Sequence, residues 1–265
     1  MNTPVKITAF DQVRFAFSDS WEITKRNVRR NFRLPRLLVF SSIQPVMFLL
    51  LFNFVFGGAV SGGGNSDIYI NFLLPGILVQ TALFGAIQTG VGLAEDMQKG
   101  VVDRFRSLPM SRVAHMAGRV MADALRNLIV LALMTGVGVL IGFDFKNGAL
   151  LAGAAYLLSV LFGFAFSWIA SLFGMLTQDA ETAQVLGFLW TFPLVFASGI
   201  FVPVQTMPGW LQAFANNQPV THAAHAVRSL TQGGEMDAVW KTLLWVVGIL
   251  IVFIPVSVMR YRNTN

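Results

Sequence analysis

The residues with the most chemistry in them lie together, in the block Glu95 to Arg112, EDMQKGVVDRFRSLPMSR. Glu95 and Lys99 are four apart, as are Lys99 and Asp103, the spacing at which opposite charges pair along a helix. Glu95 and Asp96 at the front suit the positive end of a helix dipole. Gly100 leaves room for another backbone to come close. Arg104, Arg106 and Arg112 project from the later part, beside Ser107, and Pro109 stops the helix and redirects the chain. The block stands between two long apolar runs. A centrally placed Arg, Lys or Asp costs roughly 2.5–3.5 kcal/mol in hydrocarbon, so this block belongs in water at a membrane edge. Its chemistry is mechanical: a charged rod joined to two membrane helices passes on a displacement. Charge alone fits a solvated loop equally well.

Other constellations are poorer. His222 and His225 form H-x-x-H, but a zinc protease needs H-E-x-x-H and no Glu follows His222, so they read as a surface pair and no metal site is expected. His115 stands alone. Cysteine is absent, which excludes disulfides, a thiolate nucleophile and a cysteine metal site. No G-x-x-x-x-G-K-[ST] phosphate loop occurs; Gly62-Gly63-Gly64 runs into Asn65 and Ser66. No ATP-hydrolysing site, catalytic residue or bound cofactor is therefore expected in this chain.

Polar residues inside the apolar runs are the remaining candidates. Gln80, Phe84 and Gln88 recur every four residues on one helical face. Asn53, Thr191 and Ser198 are further polar positions that avoid lipid. Together with Phe84 and Phe192 they either line a path through the membrane or hydrogen-bond between helices. Asp123 and Arg126, three apart, can pair near the membrane edge, and Lys241 snorkels to the opposite surface. The 24 phenylalanines face lipid or pack between helices and carry no substrate chemistry by their number.

The elements that must position these residues are membrane helices. Of 265 residues, 55% are hydrophobic and 12% charged, against about 25% charged in soluble domains. The net charge of +6 gathers beside apolar runs, which suits membrane orientation and not a groove for nucleic acid. Hydrophobic stretches predict six spans, at about 37–56, 69–93, 119–142, 149–175, 183–202 and 239–259. Pro45 kinks the first and Pro193 breaks the fifth. No cleavable signal peptide is expected ahead of the first span.

Residues 1–35 read as a cytoplasmic amphipathic helix. Phe10, Val13, Phe17, Trp21, Thr24 and Val28 form a stripe along it, and Trp21 is the interfacial anchor. Between spans five and six, helices starting at Pro208-Gly209-Trp210 and at Pro219 read as a re-entrant pair dipping into the outer leaflet. Lys and Arg concentrate in the first collar, the Glu95–Arg119 region and the tail, which places both termini in the cytoplasm.

Several motifs then agree in order and position. Glu95-Asp96, Gly100, Arg104 and Ser107-Leu108-Pro109-Met110-Ser111-Arg112 resemble the coupling segment of type-2 ATP-binding-cassette exporter permeases, most closely the daunorubicin/doxorubicin-resistance permeases. Phe72-Leu73-Leu74-Pro75-Gly76, Phe192-Pro193-Leu194, Ser198-Gly199-Ile200-Phe201-Val202-Pro203, Met207-Pro208-Gly209-Trp210-Leu211 and Pro219-Val220-Thr221 with Arg228 extend the likeness over most of the chain. Gln218 departs from the Asn expected before that proline.

The resemblance implies residues 36–265 form an all-α transmembrane domain of six helices, paired as a homodimer or with a related permease in a bacterial cell membrane. Two copies of a separate ATPase subunit, binding ATP and Mg, would dock on the Glu95–Arg112 block. The cargo implied is amphiphilic: drugs, antibiotics or lipids. A lipid-linked glycan exporter is the neighbouring alternative. An ion-coupled transporter or channel is disfavoured by the scarcity of buried ionisable residues and the lack of an internal repeat.

Overall fold

Long runs of Leu, Ala, Phe, Met and Val can enter a membrane only as helices, because every backbone N–H and C=O must find its partner within the segment. The computed structural model describes residues 21–26, 28, 35–60, 66–101 and 114–263, and every regular element among them is helical. We number these α1 (Pro35–Leu51, continued by a π-helical turn Phe52–Phe56 and by Gly57–Val60), α2 (Ser66–Gln98), α3 (Ala114–Leu140), α4 (Gly148–Thr177), α5 (Ala180–Phe196), α6 (Gly209–Asn217), α7 (Pro219–Gln232) and α8 (Asp237–Asn263).

Four stretches are long and apolar enough to cross a membrane: Tyr69–Gln98, Met116–Leu140, Gly148–Thr177 and Asp237–Tyr261. Two shorter apolar helices, Ser42–Phe56 and Ala180–Phe196, fall where the first and fifth spans were expected. The chain is thus an all-α membrane protein, with four helices long enough to span and two shorter apolar helices among the described residues. α1 runs through Pro45, and its irregularity lies later, in the π turn. α5 likewise runs through Pro193, whose carbonyl still accepts Ala197 N–H at 3.0 Å, and ends at Phe196, short of the expected Val202. Where the re-entrant pair was expected stand two short helices, α6 and α7.

α2 is the axis of the fold. Its most apolar window is 78% buried, against 22% for α8 at the periphery. Glycine makes the central contact with α4 possible. A Cβ on Gly174 would collide with the Gly90 carbonyl, one on Gly90 with that of Ala170, and one on Gly163 with that of Ala82. Small residues of this kind let membrane helices approach until dispersion contacts add up. Around this seam Leu73, Ile77, Leu83, Phe162 and Phe166 form the core with Val220, Val227 and Val246.

The N-terminal residues 21–26 lie on α3. Ile23 and Thr24 are buried, and Thr24 Oγ1 donates to Gly118 O at 3.2 Å, while Trp21 is exposed with Lys25 Nζ 5.8 Å from its ring centre. Trp21 and Thr24 therefore part company, one facing outward and one facing protein, although the expected stripe placed them together. Phe10, Val13 and Phe17 of that stripe lie outside the described residues.

Candidate functional site: two locked ends and an aromatic ladder

At one end of the molecule, α2 continues through Glu95 and Asp96 to Gln98, beyond the expected boundary near Leu93. Glu95 and Asp96 thus occupy the last turn of a 33-residue helix and do not begin one, correcting the dipole expectation. Negative charge is disfavoured at a helix C-terminus, and each carboxylate has a cation to offset it. Lys99 Nζ sits 3.1 Å from Glu95, as the four-residue spacing predicts. Asp96 pairs across helices with Arg119 of α3.

Gly100 closes this helix end at φ +65°, and a Cβ there would touch nothing, so it is needed for its backbone angle and not for a close approach. Asp103, Arg104, Arg106, Ser107, Pro109 and Arg112 lie outside the described residues.

Arg119 opens a polar face along α3. Asp123 lies 3.9 Å from Arg119 Nε and 3.5 Å from Arg126 Nη1, the expected Asp123–Arg126 pair. Arg126 Nη2 donates to Gly85 O at 3.4 Å, and Asn127 Nδ2 donates to Ala82 O at 3.2 Å. α2 receives this face in a glycine groove: a Cβ at Gly92 would strike the Arg119 guanidinium, and one at Gly85 the Asn127 amide. Sequence reasoning named Asp123 and Arg126 but missed Arg119. The polar positions 119, 123, 126 and 127 share one helical face inside an apolar run, and that pattern was the available signal.

The same end is tied to a second turn. Gln98 Nε2 donates to Asp179 Oδ1 at 2.7 Å, and Asp179 caps α5 by accepting from Thr182 N–H at 2.7 Å and from its hydroxyl at 2.6 Å. These bonds, the Thr182 hydroxyl first, hold the Asp179 carboxyl below its ordinary value. The two flanks of the 99–113 segment and the α4–α5 turn are therefore joined through Arg119–Asp96 and Gln98–Asp179.

At the opposite end, marked by Tyr69, the backbone leaves its helix at Ala197 and does not re-form one until Val204. Freed carbonyls in an apolar setting each need a donor. Arg228 supplies three bonds, from Nε to Phe72 O at 2.8 Å and from Nη2 to Gly199 O at 2.8 Å and Ile200 O at 3.2 Å. Tyr69 Oη donates to Phe201 O at 2.9 Å.

Gln218 donates to Leu194 O at 2.9 Å while its Oε1 accepts Val220 N–H at 3.1 Å and caps α7. The departure from Asn is thereby explained: the longer amide caps its own helix and still reaches α5. Gly76 is required where the Ile200 backbone passes, with Cα and O both 3.0 Å from the position of a Cβ. His225 is half-buried beside Arg228 and not at the surface as expected. Burial, then the charges of Arg228 and His222, hold its imidazole down to about 4, so it is neutral at physiological pH.

Between the ends, the expected path residues separate. Gln80 is buried with neither amide atom partnered, Phe84 is half-buried and Gln88 is exposed, so one face of α2 runs from core to surface. Thr191 and Asn53 are buried, and Thr191 Oγ1 and Asn53 Oδ1 have no donor or acceptor. Ser198 instead belongs to the backbone break, donating to Val195 O and accepting from Ile200 N–H.

Phenylalanines carry what the polar residues do not. Phe84 lies 5.9 Å from Phe188, followed by Phe188–Phe192 at 5.4 Å, Phe192–Phe196 at 5.4 Å, Phe196–Phe201 at 5.3 Å and Phe201–Phe52 at 4.2 Å. Phe56 extends the ladder 5.1 Å beyond Phe52 along the π turn of α1. Phe192, Phe196 and Phe56 are about two-fifths exposed, so the ladder forms a surface and is not sealed in the core. No count of phenylalanines could reveal this, because the rungs come from α1, α2, α5 and the break.

A multi-pass helical membrane protein with a charged end clamped across a hydrophilic segment has an architecture that fits a transport permease. The profile of the ABC-2 type transporter family matches residues 19–231, and the chain belongs to that family as a membrane permease subunit. It is 38% identical over 233 residues to a daunorubicin resistance ABC transporter permease protein of Streptomyces coeruleorubidus, covering 87% of this chain and 81% of the relative. It is 26% identical to a probable doxorubicin resistance ABC transporter permease protein of Mycobacterium tuberculosis (84% and 80% covered). A putative transport permease of Cyanophora paradoxa is 28% identical (82% and 75%).

Proposed function

We propose that this permease exports amphiphilic molecules bearing flat aromatic rings, driven by a separate ATPase that docks on its Asp96 end. The observation that carries the cargo reading is the Phe84–Phe188–Phe192–Phe196–Phe201–Phe52–Phe56 ladder. Aromatic pairs at these separations favour offset or edge contacts worth about 0.5–1.5 kcal/mol beyond area burial, and a planar cargo can exchange one such contact for the next. The drugs named for two relatives, daunorubicin and doxorubicin, support the same class.

The Asp96 end is the cytoplasmic one, as the gathering of Lys and Arg around it supports, with both termini on that side of a bacterial cell membrane. Two ATPase copies engage two permease chains, either identical or related, through the 95–112 segment. Arg104, Arg106, Ser107, Pro109 and Arg112 make that contact. Force on the segment reaches α2 and α3 through Asp96–Arg119 and the α4–α5 turn through Gln98–Asp179. The helices then move as a unit, the two permease chains part along their shared seam, and cargo leaves past the ladder. Gln80 and Thr191, buried with unpartnered polar atoms, are where water or cargo polar groups enter.

Daunorubicin efflux from cells expressing the permease with its ATPase tests this. Phe52→Ala combined with Phe196→Ala is expected to cut efflux several-fold while ATPase co-purification is unchanged. Full efflux in that double variant would remove the ladder from the path. Loss of co-purification on Arg104→Glu tests the docking arm separately.

A further inference from the structure

Arg228 does more than its three carbonyl bonds require. The guanidinium has five N–H donors; Nε and Nη2 go to Phe72, Gly199 and Ile200, whereas Nη1 is buried without an acceptor. The guanidinium carbon lies 3.7 Å from the centre of the Phe72 ring, which attracts the charge but offers Nη1 no lone pair. Among the described residues no carboxylate lies within ion-pair distance of it. A half-buried cation with one donor wholly covered and unpaired is costly unless something anionic joins it.

The surroundings supply room for that. An open pocket of about 350 Å³ is lined by Asn71, Phe72, His225, Arg228, Ser229 and Gln232, with Gly233 at its edge. That is within the roughly 300–1,000 Å³ typical of small-molecule pockets. No lining side chain is acidic. Gln232, also in the lining, has a second buried atom without a partner, Oε1, while its Nε2 donates to Asp144 O at 2.7 Å. The 143–147 turn holds the wall in place, with Asp144 N–H donating to Asn71 Oδ1 at 3.1 Å and Asn147 Nδ2 to Ser229 O at 2.9 Å. The pocket is thus walled by residues that hold one unspent cationic donor and one unspent acceptor. Each is covered by its neighbours and reached by a ligand only when the Arg228 and Gln232 side chains turn toward the opening.

We infer that this pocket binds an oxyanion, a phosphate group by preference, with Arg228 Nη1 as its ligand and Gln232 Oε1 taking a hydroxyl or amine carried on the same molecule. Phosphodiester headgroups of membrane lipids and free phosphate share this chemistry. Among headgroups the second acceptor selects those that carry an O–H or N–H, such as glycerol or ethanolamine, over choline, which has none. Phosphatidylcholine is therefore expected to bind more weakly than phosphatidylglycerol. The site lies at the Tyr69 end, away from the ATPase-docking segment, and does not rest on the aromatic cargo reading.

Thermal unfolding of the purified full chain in neutral detergent tests it, with inorganic phosphate, phosphatidylglycerol or phosphatidylcholine added. Phosphatidylglycerol is expected to raise Tm by about 5 °C when it stands a hundredfold above its Kd. An equal rise with inorganic phosphate alone would assign a free-anion site in place of a headgroup site. Removing the cation with Arg228→Gln abolishes the rise but also strips three carbonyls, so Ser229→Asp is the decisive variant. It adds a carboxylate to a pocket-lining position, repelling an anion there, and is expected to keep the fold and the efflux while losing the rise. A rise of the same size in Ser229→Asp, or none with either phosphate source in the wild type, would overturn the proposal.

Discussion

Asp96 of α2 and Arg119 of α3 form an ion pair across the two flanks of the segment that joins their helices, with side chains only 15% and 13% exposed. The pair converts two independent helix ends into one mechanical part. A load placed on the intervening residues cannot move α2 without α3.

Breaking that pair from one side leaves a charge stranded at the apolar edge, which typically costs about 3–5 kcal/mol. Arg119→Met is expected to lower Tm and uncouple drug-stimulated ATP hydrolysis from efflux. The exchanged double variant Asp96→Arg with Arg119→Asp is expected to recover part of both. Thermal unfolding of Asp96→Arg, Arg119→Asp and their double variant gives the coupling energy. A coupling near zero would show that the pair transmits nothing.

Glycines of the membrane helices should separate into two groups, those on the α2–α4 seam and those away from it. Gly174→Ala and Gly90→Ala place a Cβ into a facing carbonyl and are expected to destabilise by about 1–3 kcal/mol. Gly136→Ala on α3 and Gly153→Ala on α4 meet nothing within 4 Å and are expected to gain up to about 1 kcal/mol from helix propensity. Thermal unfolding of the four variants, read side by side, checks the ordering.

Carbonyl satisfaction at the Ala197–Pro203 break gives a third expectation. Tyr69→Phe removes only a hydroxyl, yet it orphans the Phe201 carbonyl and should cost about 1–3 kcal/mol. Gln218→Asn keeps an α7 cap but is too short to reach Leu194 O, so it is expected to loosen the α5–α7 contact without unfolding α7. Hydrogen exchange at residues 194–201, compared with exchange in α7, reports the difference.

The Asp179 cap has a defined pH dependence. Its folded-state carboxyl is held below the ordinary 3.8, so the folded form binds the proton less readily than the unfolded chain. The stabilisation is fully present above 3.8 and declines as pH falls through the lower folded-state value. The Tm difference between wild type and Asp179→Ala is therefore expected to stay constant from neutral pH down to that point and to shrink below it. A difference that shrinks already near neutrality would mean another group controls this turn.

Hydropathy along the chain was enough for the class and the helix order, because the bilayer demands long apolar helices whatever their neighbours. Local spacing was enough for Glu95–Lys99, for Asp123–Arg126 and for the starts of α6 and α7, since each depends on residues within one or two turns of one another. The motifs carried the family, and their agreement over most of the chain explains why the profile matches residues 19–231.

Tertiary structure decided which partners met across helices. Asp96 was read against its own helix because nothing within four residues revealed Arg119, twenty-three positions away. Arg228 was a motif residue without a task until the broken end of α5 was placed beside it. The phenylalanines were undistinguished in number and became a ladder only when four separate segments stacked them. One-dimensional pattern fixes what lies a turn away along a helix; which faces of different helices come to touch is decided by close packing of the whole bundle, through the glycines that let α2 sit at its centre.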